Sequence, residues 1–160
     1  MKTLLLMRHA SSGWDEMSLA DRGRPLDAKG ERELVRMARR CSEHVVRPDL
    51  ILSSPAVRAV TTARALAERF GQRADDIRID DRLYCGSARV LLDIVQGLDD
   101  RFDHVAIVGH NPELSEFGHY LAANIERLPT CSIASLAFDA PTWPEAVRRK
   151  AMSSALEAPQ

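Results

Sequence analysis

The stretch 3-TLLLMRHA-10 decides how this sequence is read. Thr3 to Met7 is a continuous apolar run, the pattern of a strand buried on both faces of a parallel sheet. Arg8 and His9 follow at once, so the strand delivers two polar groups to its carboxyl end. Two further runs have the same form. Leu50-Ile51-Leu52 leads into Ser53-Ser54-Pro55-Ala56-Val57-Arg58, and Val105-Ala106-Ile107-Val108 leads into Gly109-His110-Asn111-Pro112.

Helical periods fill the gaps between these runs. From Ala28 to about Val46, the side chains of Leu34, Met37, Ala38, Cys41 and Val45 share one face, with Asp27 as N-cap and Pro48 beyond the end. Ser54-Pro55 reads as an N-cap followed by proline at the first helical position, opening a helix to about Phe70 that Gly71 closes. Asn111-Pro112 repeats that start ahead of Leu114, Phe117 and Leu121. Ala88 to Leu98 is a further helix, Ile77 to Ile79 a weak strand, and Ile133 to Phe138 a strand. Gly13 to Asp27 has no period and reads as a loop. Trp143 to Leu156 fits either a last helix or an edge strand. Alternating strands and helices define an α/β chain with a mostly parallel sheet covered by helices on both faces, expected to form one domain over residues 1–160.

Composition narrows the function. The chain has 160 residues, 45% hydrophobic and 28% charged, the balance of a globular protein. Its charge sum, 22 − 23 = −1, offers no global attraction to nucleic acid or to an anionic membrane, and neither partner is expected. No apolar run approaches the ~20 residues of a membrane span, and Leu4 to Met7 is too short for a signal-peptide core. Cys41, Cys85 and Cys131 are odd in number and widely spaced, which predicts buried free thiols in a reducing, cytoplasmic setting.

In an open parallel sheet, ligands bind beyond the carboxyl ends of the strands. If the three strong strands are neighbours, Arg8, His9, Arg58 and His110 meet on one rim. Helices opening there add unpaired N–H groups and partial positive charge. Arg58 lies in a first helical turn, where a cation is disfavoured unless an anion faces it. The combination suits an oxyanion of several charges, and phosphate is the obvious one. The five histidines lack helix-spaced ligand motifs, and two arginines beside His9 and His110 would repel a cation, so no metal and no other cofactor are expected.

Arg8-His9-Ala10 resembles the RHG signature of the histidine phosphatase (phosphoglycerate mutase-like) superfamily, with alanine in the glycine place. Ser53-Ser54-Pro55-x-x-Arg58-Ala59-x-x-Thr62-Ala63 is similar to its second motif, and Gly109-His110-Asn111-Pro112 to its third. Arg24-Pro25-Leu26-Asp27-x-x-Gly30, Leu128-Pro129-Thr130 and Ser135-Leu136-Ala137-Phe138 resemble segments of its short SixA-type phosphohistidine phosphatases. The resemblance implies a three-layer αβα sandwich and a metal-independent phosphatase in which His9 is phosphorylated and water then releases phosphate. Arg8, Arg58 and His110 would bind the phosphoryl group, with His110 protonated in the complex and nearby cations lowering the pKa of His9.

Neutral His9 needs a fixed tautomer, and backbone near Ser11 to Gly13 is expected to accept from its other nitrogen. Larger members of the superfamily carry a glutamate as proton donor, for which Arg82-Leu83-Tyr84-Cys85-Gly86 offers no match; Asp21 is the expected general acid instead. The missing glutamate leans towards phosphohistidine, whose nitrogen leaves easily. The partner is then a phosphorylated substrate, a phosphohistidine-bearing protein among the options. A small-molecule phosphate-ester phosphatase, a mutase-like phosphotransferase and a non-catalytic phosphoprotein-binding module are the alternatives.

Overall fold

The apolar run that opens the chain becomes β1 (Lys2–Arg8), the strand around which the sheet is built. A computed structural model describes residues 1–13 and 20–159. Along β1 the side chains alternate between two cores, Leu4 and Leu6 on one face and Leu5 and Met7 on the other, as a strand buried on both sides must.

The other elements follow in the order α1 (Ala28–His44), β2 (Leu50–Ser53), α2 (Val57–Arg69), β3 (Arg78–Ile79), α3 (Ala88–Gln96), β4 (His104–Gly109), α4 (Glu113–Leu121), β5 (Ile133–Phe138), α5 (Trp143–Arg149) and β6 (Ser153–Glu157). The six strands lie in the order β3-β2-β4-β1-β5-β6. β3, β2, β4 and β1 are mutually parallel. β5 pairs antiparallel with both β1 and β6, so it alone runs against the rest.

Helices cover both faces. Met37 and Cys41 of α1, and Ala59, Ala63 and Leu66 of α2, pack on Leu5, Met7, Ile51 and Val108. Leu91 and Val95 of α3, Phe117 and Leu121 of α4, and Trp143 and Val147 of α5 pack on Leu4, Leu6, Leu52 and Ile107. The result is the expected three-layer sandwich. The two clusters are built of apolar side chains, and each buried aliphatic or aromatic one stabilises the fold by roughly 1.5–3 kcal/mol.

Local signals hold in part. Asp27 caps α1, its carboxylate accepting from the Gly30 N–H at 2.8 Å. The first turn of that helix lies so close to the chain after His9 that a Cβ on Gly30 would collide with the Ser11 carbonyl. Gly71 follows α2 at φ 68°, a left-handed conformation that glycine adopts without steric cost.

Other expectations are corrected. α1 ends at His44, with Val45 as its C-cap. α2 starts at Val57 with Ala56 as N-cap, because the fully buried Ser54 hydroxyl accepts from the Ala56 N–H and turns towards His110. Asn111 caps α4 from one residue further out, accepting from the Ser115 N–H at 3.2 Å. The stretch after Pro141 is both a helix and an edge strand, since Lys150 at φ 68° separates α5 from β6. In the expected loop over 13–27, residues 14–19 lie outside the described residues, and Asp21–Gly23 forms one turn of 3-10 helix. Cys41 and Cys131 are buried free thiols; Cys85 is exposed instead, at φ 55°. No helix among the described residues is long and apolar enough to cross a membrane.

Candidate active site

Because β2, β4 and β1 are consecutive in the sheet, their carboxyl ends present Arg58, His110, Arg8 and His9 to one pocket of about 370 Å³. Asp21, Arg24, Tyr84 and Glu113 line the same pocket. All five residues expected at the site, Asp21 included, therefore come together. The reversed strand β5 adds the chain before its start, so Thr130 also reaches the rim.

His9 leaves β1 with its backbone N–H donating to the Gly109 carbonyl at 3.0 Å. Its Nδ1 lies 2.7 Å from the Ala10 carbonyl. A carbonyl only accepts, so Nδ1 carries the proton and Nε2 keeps its lone pair. The orienting acceptor is thus Ala10, not the Ser11 to Gly13 backbone. That segment is occupied elsewhere: the Ser12 and Gly13 carbonyls accept from Arg24, and the Ser11 N–H donates to Glu33 Oε1 at 2.7 Å. Glu33 is buried, and its other oxygen accepts from the Thr130 hydroxyl at 2.6 Å. One carboxylate therefore ties α1 both to the chain that follows His9 and to the segment that leads into β5.

Burial pushes His9 down to about 4; Arg58, Arg8 and Arg24 push the same way, and the Ala10 hydrogen bond opposes them. The lowered pKa was expected, although burial outweighs the cations as its cause. His110 lies beside His9, with ring centroids 5.1 Å apart. Its Nε2 is 2.8 Å from the Ser54 hydroxyl. Burial, then His9 and Arg58, push it down to about 3. The protein groups alone hold both rings neutral near pH 7, and protonation of His110 would require an arriving anion to supply the stabilising charge.

The guanidinium of Arg8 donates to the Leu128 carbonyl through Nη1 at 3.1 Å, and Asn111 Nδ2 donates to that carbonyl at 2.9 Å. Arg58 donates through Nη1 to the Asp21 carbonyl at 2.7 Å and through Nη2 to Asp21 Oδ2 at 3.1 Å. The Nε of Arg8 and of Arg58 are both buried without a partner among the described residues. Buried donors left unpaired cost about 1–3 kcal/mol each, a penalty an oxyanion would remove.

Asp21 reaches the rim but is held as an anion. Its carboxylate accepts from Tyr84 Oη at 2.6 Å, from Arg24 Nε at 3.0 Å and from Arg58. The Tyr84 hydrogen bond first, then those from Arg24 and Arg58, keep it well below the usual carboxylate range. With no proton to give near pH 7 in this arrangement, Asp21 stands here as the ion-pair partner of two arginines.

Arg24, Tyr84 and Glu113 were not expected at the site. Arg24 stood in a motif without a role. Tyr84 follows the one-turn 3-10 helix Asp81–Leu83 and sets its ring edge-on to His110, centroids 5.8 Å apart. Nothing local in the sequence marks either Tyr84 or Glu113. Among the described residues no three His, Cys, Asp or Glu side chains are grouped so as to hold a metal ion.

The model of the histidine phosphatase superfamily (branch 1) matches residues 4–84. The chain belongs to that superfamily. Within it the chain is of the short SixA type. It superposes with a TM-score of 0.77 on a protein of Agrobacterium tumefaciens designated a phosphohistidine phosphatase, SixA, at 30% identity over 86% of this chain and 92% of that one. A protein of Nakamurella multipartitia with the same designation gives a TM-score of 0.81 at 24% identity, covering 99% of this chain and 96% of that one. An uncharacterised chloroplastic protein of Arabidopsis thaliana is 29% identical over 91% of this chain and 70% of its own length.

Proposed function

We propose that this protein is a metal-independent phosphatase that hydrolyses phosphorylated substrates through a phosphohistidine intermediate on His9. One observation carries the reading. A neutral imidazole with Nδ1 tied to the Ala10 carbonyl keeps Nε2 free in a pocket lined by Arg8, Arg58 and His110. That is the arrangement a phosphoryl acceptor needs.

In the first half-reaction, Nε2 of His9 attacks phosphorus and the bond to the leaving group breaks. In the second, water attacks phosphorus, the P–N bond breaks, and phosphate leaves. The transition states are loose, so positioning and charge carry most of the rate. Arg8 and Arg58 supply planar donor forks for the equatorial oxygens, and His110 takes up a proton as the anion binds. Phosphohistidine on a protein is the substrate class we favour, supported by the designation of the Agrobacterium relative. The free thiols Cys41, Cys85 and Cys131 support a reducing, cytoplasmic setting.

The test is His9→Ala against phosphohistidine peptide, phosphoserine peptide and small phosphate esters. Turnover should fall to background with the fold intact. Wild-type protein quenched during turnover should carry an acid-labile, alkali-stable phosphoryl group at residue 9. Substantial turnover by the variant would reject His9 as the nucleophile.

A further inference from the structure

If Asp21 carries no proton, the phosphoryl site needs one from elsewhere whenever the leaving group is a poor one. We propose that Glu113 is the general acid, so that the pocket accepts phosphate monoesters of ordinary alcohols as well as phosphoramidates. The inference deepens the reading above and rests on His9 as phosphoryl acceptor.

Two carboxylates line the pocket among the described residues, Asp21 and Glu113. Asp21 is committed to Tyr84, Arg24 and Arg58. Glu113 is only 9% exposed, and its Oε1 is buried without a hydrogen-bond partner among the described residues. A buried carboxylate in that condition is costly, whereas a buried carboxylic acid is far less so. Glu113 stands in the first turn of α4, three residues after His110, and shares the pocket wall with Tyr84 and Cys85.

Two influences on its protonation compete. The start of a helix favours the anion, and the Glu113 backbone N–H adds to that. Burial acts against both, with Glu116 one turn on adding to it, and the carboxyl is pushed up from its usual value. The group is thus moved towards the range in which a carboxyl serves as proton donor near neutrality.

The steps balance. As Nε2 of His9 bonds to phosphorus, the P–O bond breaks, its electron pair stays on the alcohol oxygen, and the Glu113 proton moves to that oxygen. The Glu113 carboxylate then takes a proton from the attacking water as the P–N bond breaks and its electron pair returns to Nε2. The enzyme ends as it began, with one water consumed.

The experiment is Glu113→Gln assayed on phosphate esters with leaving groups of increasing basicity, from 4-nitrophenyl to phenyl to ethyl phosphate. Activity on ethyl phosphate should fall about 10²–10⁴-fold, the usual contribution of a general acid, with less than about a threefold change on 4-nitrophenyl phosphate. Inhibition by inorganic phosphate should be unchanged, which separates acid catalysis from a collapsed pocket. An equal loss on all three esters, or none, would overturn the proposal. If the glutamine variant does not fold, Glu113→Asp replaces it: the shortened arm should again cost more on ethyl than on 4-nitrophenyl phosphate, and a uniform loss overturns the assignment. Turnover that survives His9→Ala would instead refute the underlying reading, so the two failures are distinguishable.

Discussion

Arg58 and Asp21 are joined twice, the guanidinium donating to both the backbone carbonyl and the carboxylate of the same residue. The acidic residue therefore occupies donors that a phosphoryl oxygen would otherwise use. This makes Asp21 an internal competitor for the anion.

Asp21→Asn keeps the shape and removes the charge. Inorganic phosphate should then inhibit about three- to tenfold more tightly, the scale of one partly exposed ion pair. The inhibition constant of phosphate in wild type and variant measures this. Unchanged or weaker inhibition would show that the carboxylate does not compete.

The two histidines make acid conditions costly. In the folded protein His9 is pushed down to about 4 and His110 to about 3, against 6.5 for ordinary imidazole. Between these values the unfolded chain binds more protons, so stability is fully present above about 6.5 and is lost as the pH falls towards 4. Urea unfolding at a series of pH values should show that slope, and His9→Gln or His110→Gln should flatten it. The acid limb of kcat/KM should bend near 4, where His9 takes a proton, and not near 6.5.

Ser54 orients His110 through the 2.8 Å contact between its hydroxyl and Nε2. Ser54→Ala should lower kcat/KM by roughly 5- to 30-fold, the worth of one buried hydrogen bond of about 1–2 kcal/mol. Steady-state kinetics with circular dichroism as a fold control would settle it. An unchanged value would mean that His110 is held by packing alone.

Gly30→Ala would force α1 away from the Ser11 carbonyl, which also accepts from the Asp27 N–H at 3.1 Å. Backbone on both sides must give way, so a loss of about 1–3 kcal/mol is expected, as for an overpacked core. The melting temperature should fall, and activity should fall with it because the displaced segment directly follows His9. A silent substitution would show that this approach is looser than the structure has it.

Much of this was legible in the sequence, for identifiable reasons. Buried parallel strands are continuous apolar runs, so β1, β2 and β4 announced themselves, and with them the residues at their ends: Arg8, His9, Arg58 and His110. What escaped is what depends on tertiary approach. The tautomer of His9 rests on a carbonyl, and a carbonyl belongs to every residue alike. Tyr84 and Glu113 reach the pocket from a turn and a helix start with no pattern of their own. Asp21 was placed correctly at the rim, but its ion pairs, which decide whether it can hold a proton, are set by Arg24, Arg58 and Tyr84 arriving from three different segments.

The position of β4 bears on how the molecule comes into being. β1 and β2 are both made before β4, yet they never pair; β4, more than fifty residues after the start of β2, is the strand that lies between them. A nascent chain on the ribosome holds Arg8, His9 and Arg58 long before it can bring them together; β1 has no strand partner, and β2 only the two-residue β3, until residues 104–109 emerge. Such long-range closure is slow and exposes sticky edges. Catalytic competence should therefore arrive late and all at once, and chaperone demand should peak just before it.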